Sequence, residues 1–367
     1  MLFIPMSQLK SGMKLANDVL VFEHANVRLL KRGMVLSQNF IDRLHRFDVS
    51  GVYVKDELTG DIIPSQPIMS KRLKTNTLNN LEWVFKRSTE KDSKKGTKKY
   101  IQHLDDTVIK LIDLVKENES KLVNINDLKA YDEYTYHHSL SVAVIAIGIG
   151  MQLGISQDEL HRLGFAAIMH DIGKMEIPIE IINKPAKLTT EEFEIIKKHP
   201  VYGGEYLALN DVNDQGIYDG VVHHHEMVNG TGYPNNLPDR EIPFFSKIIS
   251  VADVYDALTS HRPYRDPLLP THVAEYMMGN CGIAFDMDIV KAFLNKIEFF
   301  PVGSFVEFNN EKKAVVINNE NPLHPLVRLI EPPFSTLDLF NDPSTYSMVI
   351  TKLFEEFPVA DLKMASG

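Results

Sequence analysis

DELHRLGFAAIMHDIGK, residues 158–174, is the stretch from which the rest of the chain is read. Leu160, Leu163, Phe165, Ala167 and Ile168 recur at helical spacing and predict a buried helix from Asp158 to Ile172. The pattern ends on His170-Asp171. A histidine beside an aspartate near a helix end can direct an imidazole and a carboxylate at one point. The two carboxylate oxygens of Asp171 also allow it to bridge two cations.

The same residue types recur in order on both sides of this pair, as His138, His199, His224-His225 and Asp253. Thr189 with Glu192 forms a capping-box start for a helix reaching Lys198, and Pro200 follows His199 to end it. Asp253 follows the apolar run Ile248–Val251. Neutral imidazoles with carboxylates suit Fe, Mn, Zn or Ni rather than a thiolate site. Two such ions ~3.5–4 Å apart, bridged by hydroxide, make a hydrolytic centre for phosphate esters. His103, His161, His261, His272 and His324 stand outside the series and read as ordinary core or surface groups. His137 and His223 adjoin proposed ligands, and adjacency alone does not recruit them.

The chain has 367 residues, 44% hydrophobic and 24% charged, a soluble globular composition with room for two or three cores. Its net charge of −10 argues against binding a nucleic acid polymer, which needs a basic surface. One cysteine, Cys281, leaves no internal disulfide and fits a reducing compartment. MLFIPMSQLK lacks the apolar run of a signal peptide, and Val142–Met151 is too short and glycine-broken to span a membrane. The expectation is a cytoplasmic protein.

Four regions are expected. Residues 1–65 read as a small mixed α/β module, with strands at Val19–Phe22 and Gly51–Val54 and a Ser37-capped helix presenting Phe40, Ile41 and Leu44. Residues 66–125 read as a helical basic linker, in which Trp83 and Phe85 pack rather than stack on a base and Leu104, Val108, Leu111, Ile112 and Val115 mark a helix. Residues 126–297 are dominated by helical pattern and carry the whole His/Asp series. Residues 298–367 are a C-terminal β appendage and tail, with period-two runs at Ser304–Phe308, Ala314–Ile317 and Leu326–Ile330.

YTYHHSLSVA (134–143), HDIGK (170–174), HPVYG (199–203), HHHEMVNGTGYP (223–234) and ADVYDALTSHRPYR (252–265) together resemble the HD-GYP family. These are bacterial cyclic dinucleotide phosphodiesterases within the HD superfamily of metal-dependent phosphohydrolases. The resemblance covers roughly residues 126–297, and its motifs are highly specific. NPLHPLVRL resembles the family's C-terminal β segment. The implied fold is mainly α: a helical HD-type bundle carrying the metal site, between the small α/β module and the short β segment.

By motif, the resemblance implies His138, His170, Asp171, His199, His224, His225 and Asp253 as metal ligands, with Asp171 bridging. It implies Lys174 beside the metals and the scissile phosphate, Arg262 and Arg265 on the substrate phosphates, and Gly232 and Tyr233 in the loop that names the family. A guanidinium fork suits phosphate. The implied reaction is hydrolysis of cyclic di-GMP to the linear dinucleotide pGpG, and possible onward cleavage to GMP, by a bridging hydroxide. The alternatives are another cyclic dinucleotide such as cyclic GMP-AMP, or a catalytically silent ligand- or protein-binding module. A protein partner at the GYP loop and a homodimer are further expectations.

Two departures from the family pattern bear on the site. Asn229 stands where the family usually has Asp, which removes a charge and keeps hydrogen-bonding capacity. Members with a third metal use a glutamate four residues before the first histidine. With His138 as that ligand the position is Tyr134, and two divalent ions, Fe or Mn, are expected. With His137 it is Glu133, and a third metal follows.

Overall fold

The computed structural model describes residues 2–6, 9–21, 27–47, 49, 51–55, 62, 68–87, 94–117, 128, 134–184, 186–260 and 266–354. The chain forms two compact units, one from Met1–Gln66 with Phe299–Gly367 and one from Pro67–Glu298.

In the first unit, strands β1 (Leu2–Pro5), β2 (Lys14–Leu15), β3 (Val19–Val21) and β4 (Val27–Leu30) precede helix α1 (Gln38–Arg46) and strand β5 (Gly51–Lys55). Strands β6 (Phe305–Phe308), β7 (Lys313–Asn318), β8 (Leu326–Leu329), β9 (Thr336–Asp338) and β10 (Ile350–Phe354) follow far later in sequence. The sheets are β1-β5-β2, the hairpin β3-β4, and β10-β6-β7-β8-β9, all antiparallel. The Ser37 hydroxyl accepts from the Phe40 amide and starts α1, which buries Ile41 and Leu44. Ile4, Leu15, Leu30, Leu44, Val52 and Val54 share one core with Phe305 and Val315. The N-terminal module and the C-terminal β segment, expected as separate pieces, are therefore one unit. The shared apolar cluster is what joins them.

The second unit is helical: α2 (Lys71–Arg87), α3 (Lys94–Glu117), α4 (Tyr134–Gln152), α5 (Gln157–Met169), α6 (Ile179–Ile182), α7 (Thr190–Ile196), α8 (His199–Leu209), α9 (Gln215–Val222), α10 (Phe244–Thr259), α11 (Pro270–Gly279) and α12 (Met287–Lys296). Leu140, Val142, Ala143, Val144, Ile145, Ala146, Ile147 and Ile149 are all fully buried, so α4 is apolar all round and lies at the centre. It packs against α2, α3, α5, α10 and α12. Capping boxes at Ser156-Glu159 and Thr189-Glu192 start α5 and α7.

Helices α2 and α3 are part of this unit, which extends it beyond the expected boundary at residue 126. Leu81, Val84, Phe85, Leu104, Val108, Leu111, Ile112 and Val115 are buried. Trp83 stacks on Tyr100 with ring centroids 3.5 Å apart. The Lys and Arg residues of this stretch accompany an apolar face that a solvated linker would lack.

The turn after α5 sets the geometry of the site. Residues Ile172–Glu176 form a 3-10 turn lying against α8. A Cβ on Gly173 would stand 2.0 Å from the His199 carbonyl oxygen and 2.4 Å from the Gly203 amide nitrogen. Only glycine lets the HDIGK backbone approach α8 this closely. Gly173→Ala should destabilise the protein by about 1–3 kcal/mol, the usual range for forced overpacking. Gly279→Ala, where a Cβ meets nothing within 4 Å, is the control and should not lose stability. Thermal unfolding of the two variants checks this; equal melting temperatures would show that the contact is not constraining.

Candidate metal centre

Six helical segments converge on one buried cluster. His138 lies in the first turns of α4, and His170 caps the C-terminus of α5. Asp171 opens the 3-10 turn, and His199 is the first residue of α8. His224 and His225 follow α9, and Asp253 lies within α10. His199, His224 and His225 offer ligand atoms within 4.8 Å of one another; so do His138, His170 and Asp171, and so do His170, His224 and Asp253. These three overlapping groups contain all seven ligands implied by the resemblance. His138, His170, Asp171, His199 and His224 are at most 2% exposed.

The tautomers follow from the hydrogen bonds. The Nδ1 atoms of His170, His199 and His224 lie 2.7, 2.8 and 2.7 Å from the carbonyls of Ala167, Ile196 and Val221. A carbonyl only accepts, so each Nδ1 carries the proton and each Nε2 presents a lone pair. The Nε2 atoms of His199 and His224 face each other at 3.3 Å. His170 Nε2 and Asp171 Oδ1 are buried with no hydrogen-bond partner. Lone pairs aimed at a common point in a dry interior repel unless a cation lies between them. The donor set of imidazole nitrogens and carboxylate oxygens fits divalent metal ions.

The electrostatics are consistent with this fit. Burial opposes charge on Asp171, but the Lys174 ammonium at 2.5 Å and His170 hold its carboxyl well below the usual range. Burial also opposes charge on Asp253, and the His138 contact overcomes it in the same direction. Burial pushes His224 far down, and burial with the neighbouring His199 pushes His225 down to about 3. Carboxylates held ionised and imidazoles held neutral are the ligand forms a metal requires. His138 differs. Burial works against its charge, but Asp253 at 3.1 Å and Asp256 at 2.7 Å raise it to about 9. A divalent cation held at its Nε2 would take the place of that proton.

The histidine doublet separates in space. His138 faces the cluster, while His137 Nδ1 lies 2.7 Å from the Leu128 carbonyl. Arg262 and Arg265 lie outside the described residues, as do Glu133 and His261. Lys174 is brought to Asp171, and its side chain is 30% exposed, at the rim of the cluster.

The loop after His225 closes one side. The Tyr233 ring stacks on His225 with centroids 4.7 Å apart and an interplanar angle of 27°. Gly232 is required there, since a Cβ would lie 2.3 Å from the Met227 nitrogen and 2.4 Å from the Glu226 Cα. Asn229 Oδ1 accepts from the Thr231 amide and hydroxyl, so the acceptor role expected of an aspartate at this position is kept. Two residues went unnoticed in the sequence. Glu226, 3% exposed, accepts from the amides of Asn235 and Leu237 and pins the loop. Asp256 accepts from His138. Their only sequence signal is position: Glu226 follows the histidine run, and Asp256 lies three residues after Asp253 on the same helix.

This bundle, with its buried His/Asp cluster, defines a metal-dependent phosphohydrolase fold of the HD type. The family model described as HD domain matches residues 106–289, beginning within α3. The chain belongs to this family. It is 34% identical over 227 residues to a Pseudomonas aeruginosa protein named cyclic di-GMP phosphodiesterase PA4108, covering 62% of this chain and 55% of that one. It is 31% identical over 192 residues to the 3'3'-cGAMP-specific phosphodiesterase 2 of Vibrio cholerae, covering 52% and 37%. Among solved structures it is similar to Bd1817, an HDG"Y"P protein from Bdellovibrio bacteriovorus, with a TM-score of 0.51 at 18% identity over 80% of this chain and 97% of that one. That likeness shows the fold. The chain spans about half the length of the curated relatives it matches.

Replacing Glu226 tests how the loop is held. Glu226→Ala removes the acceptor of the Asn235 and Leu237 amides, two hydrogen bonds to a charged group worth about 1.5–3 kcal/mol each at most. Amide exchange at 235–237 should quicken while bound metal stays constant. Unchanged exchange would show that the loop is fixed by other contacts.

Proposed function

We propose that this chain hydrolyses a 3′–5′ phosphodiester bond of a cyclic dinucleotide, cyclic di-GMP first among them, and releases the linear dinucleotide pGpG. The observation that carries this reading is the buried convergence of imidazole lone pairs and carboxylates beside a partly exposed lysine. Two divalent ions held by His138, His170, Asp171, His199, His224, His225 and Asp253 supply a Lewis acid for phosphoryl oxygens and a water acidified for attack. Iron and manganese fit the donor set, and the Irving–Williams order makes recovered metal depend on supply.

The chain's own residues do the rest. Asp171 has Oδ2 toward His138 and His170 and Oδ1 toward His199, so its carboxylate would serve both ions. The Lys174 ammonium, held at the rim by Asp171, is within reach of a phosphate that enters the site and stabilises charge developing on its oxygens. Tyr233, on His225, offers a flat apolar face and a hydroxyl beside the same entrance. Arg262 and Arg265 clamp the substrate phosphates in this reading, as their motif position implies. An acidic chain thereby concentrates positive charge at one place.

A second substrate is suggested by one finding: relatives named as cGAMP-specific also match, at 31% identity over 192 residues and 34% over 173. The cluster reads phosphate and not base, so the class of cyclic dinucleotides is the firmer part of the proposal. Among the described residues no helix is long and apolar enough to cross a membrane. A protein partner at the GYP loop, a homodimer and a cytoplasmic location remain parts of the proposal that rest on the family pattern.

The test is metal analysis of the purified chain followed by chromatography of products from cyclic di-GMP and cyclic GMP-AMP. Two metal ions per chain and pGpG as main product are expected; a metal-free chain that cleaves neither substrate contradicts the reading. Asp171→Ala should abolish turnover and lower bound metal, because a bridging carboxylate serves both ions. Retained activity with full metal content removes that assignment. Arg262→Ala and Arg265→Ala should raise KM and leave metal content intact. Loss of metal or of fold in these variants would make the arginines structural.

A further inference from the structure

His138 is held in place differently from three other histidines of the cluster. His170, His199 and His224 each donate Nδ1–H to the main-chain carbonyl three positions earlier. Any sequence that keeps the local backbone keeps those bonds. His138 lies inside α4, where main-chain carbonyls serve the helix ladder. Its Nδ1 lies instead 2.7 Å from Asp256 Oδ2, on α10, 118 positions later in the chain. Asp256 is 1% exposed, and its other oxygen is buried with no hydrogen-bond partner. A buried carboxylate aimed at one ring nitrogen fixes that nitrogen as the donor. The ring then turns its Nε2 toward Asp253 Oδ1 at 3.1 Å and Asp171 Oδ2 at 3.6 Å.

We propose that Asp256 is a positioning residue that acts through His138: it fixes the Nδ1–H tautomer, aims Nε2 into the cluster, and strengthens binding on the His138 side of the metal pair. A carboxylate behind a ligating imidazole orients the ring and raises its basicity, and loss of such a partner typically costs about 10–100-fold in metal affinity or activity. The two sides of the cluster are therefore unequal. The His138, His170 and Asp171 group has a charged residue behind it, whereas His199 and His224 in the other group are set by neutral carbonyls. Asp256 makes its hydrogen bond to the His138 side.

The inference rests on the metal reading of the site, and the experiment separates the two. Mn²⁺ affinity is measured by chelator competition on the full chain for wild type, Asp256→Ala, Asp256→Asn, His138→Ala and the double variant His138→Ala with Asp256→Ala. Cyclic di-GMP kinetics are recorded on the same samples. In Asp256→Ala, one Mn²⁺ should be held about 10–100-fold more weakly and the other should keep its affinity. Asp256→Asn should recover part of the loss, because the amide oxygen still accepts Nδ1–H. In the His138→Ala background, removing Asp256 should weaken Mn²⁺ no further. Unchanged affinity in Asp256→Ala overturns the inference, as does an equal loss in both backgrounds. So does unfolding of every Asp256 variant where His138→Ala folds, since Asp256 would then be a core residue. A wild-type chain that holds no Mn²⁺ is the failure of the metal reading itself.

Discussion

The His199 and His224 Nε2 atoms, 3.3 Å apart and each presenting a lone pair, impose the constraint on which the site depends. Both rings are locked by backbone hydrogen bonds, so neither can turn its donor toward the other. The same holds for His170, whose Nε2 is buried and unpartnered. A folded chain that buries these acceptors without a cation bears an unreturned desolvation penalty. A bound metal would turn that penalty into binding energy, which would link folding of the bundle to occupancy of the site.

The helical unit is arranged to maintain this constraint. The apolar run of helix α4 is buried among five other helices, and His138 enters the cluster from its first turns. Gly173 lets the HDIGK turn lie on α8, which brings Asp171 within 3.3 Å of His199. Glu226 and Gly232 fold the loop after His225 back so that Tyr233 covers that ring. The placement of Asp171, His199 and His225 thus depends on residues outside the cluster.

Much of the site is legible in the sequence because a metal ligand needs a particular side chain, and the histidines and aspartates carry that identity openly. The supporting residues are less legible. Asp256 resembles any helical acid until α10 is seen beside α4. The choice between His137 and His138 turns on a rotation of one helical step, which the doublet itself does not encode. The boundary at residue 126 misplaces α2 and α3 because their charge conceals an apolar face that is shared with α4 and α5. The union of the two chain ends in one unit is a long-range fact: Phe305 and Val315 meet Ile4 and Leu15 through packing between segments hundreds of residues apart, and no local pattern announces it. Strands β1, β2, β4, β9 and β10 are not legible for the same reason, since their short runs gain order from partners and not from propensity.

The central claim is that the seven-residue cluster is a binuclear metal site with unequal halves. Crystals of the metal-loaded chain, with anomalous scattering recorded on both sides of the metal absorption edge, test it most directly. The account predicts two peaks, one at the Nε2 atoms of His138 and His170 and one at His199, His224 and His225, with Asp171 touching both. A single peak, or a third bound by Glu133, would contradict it.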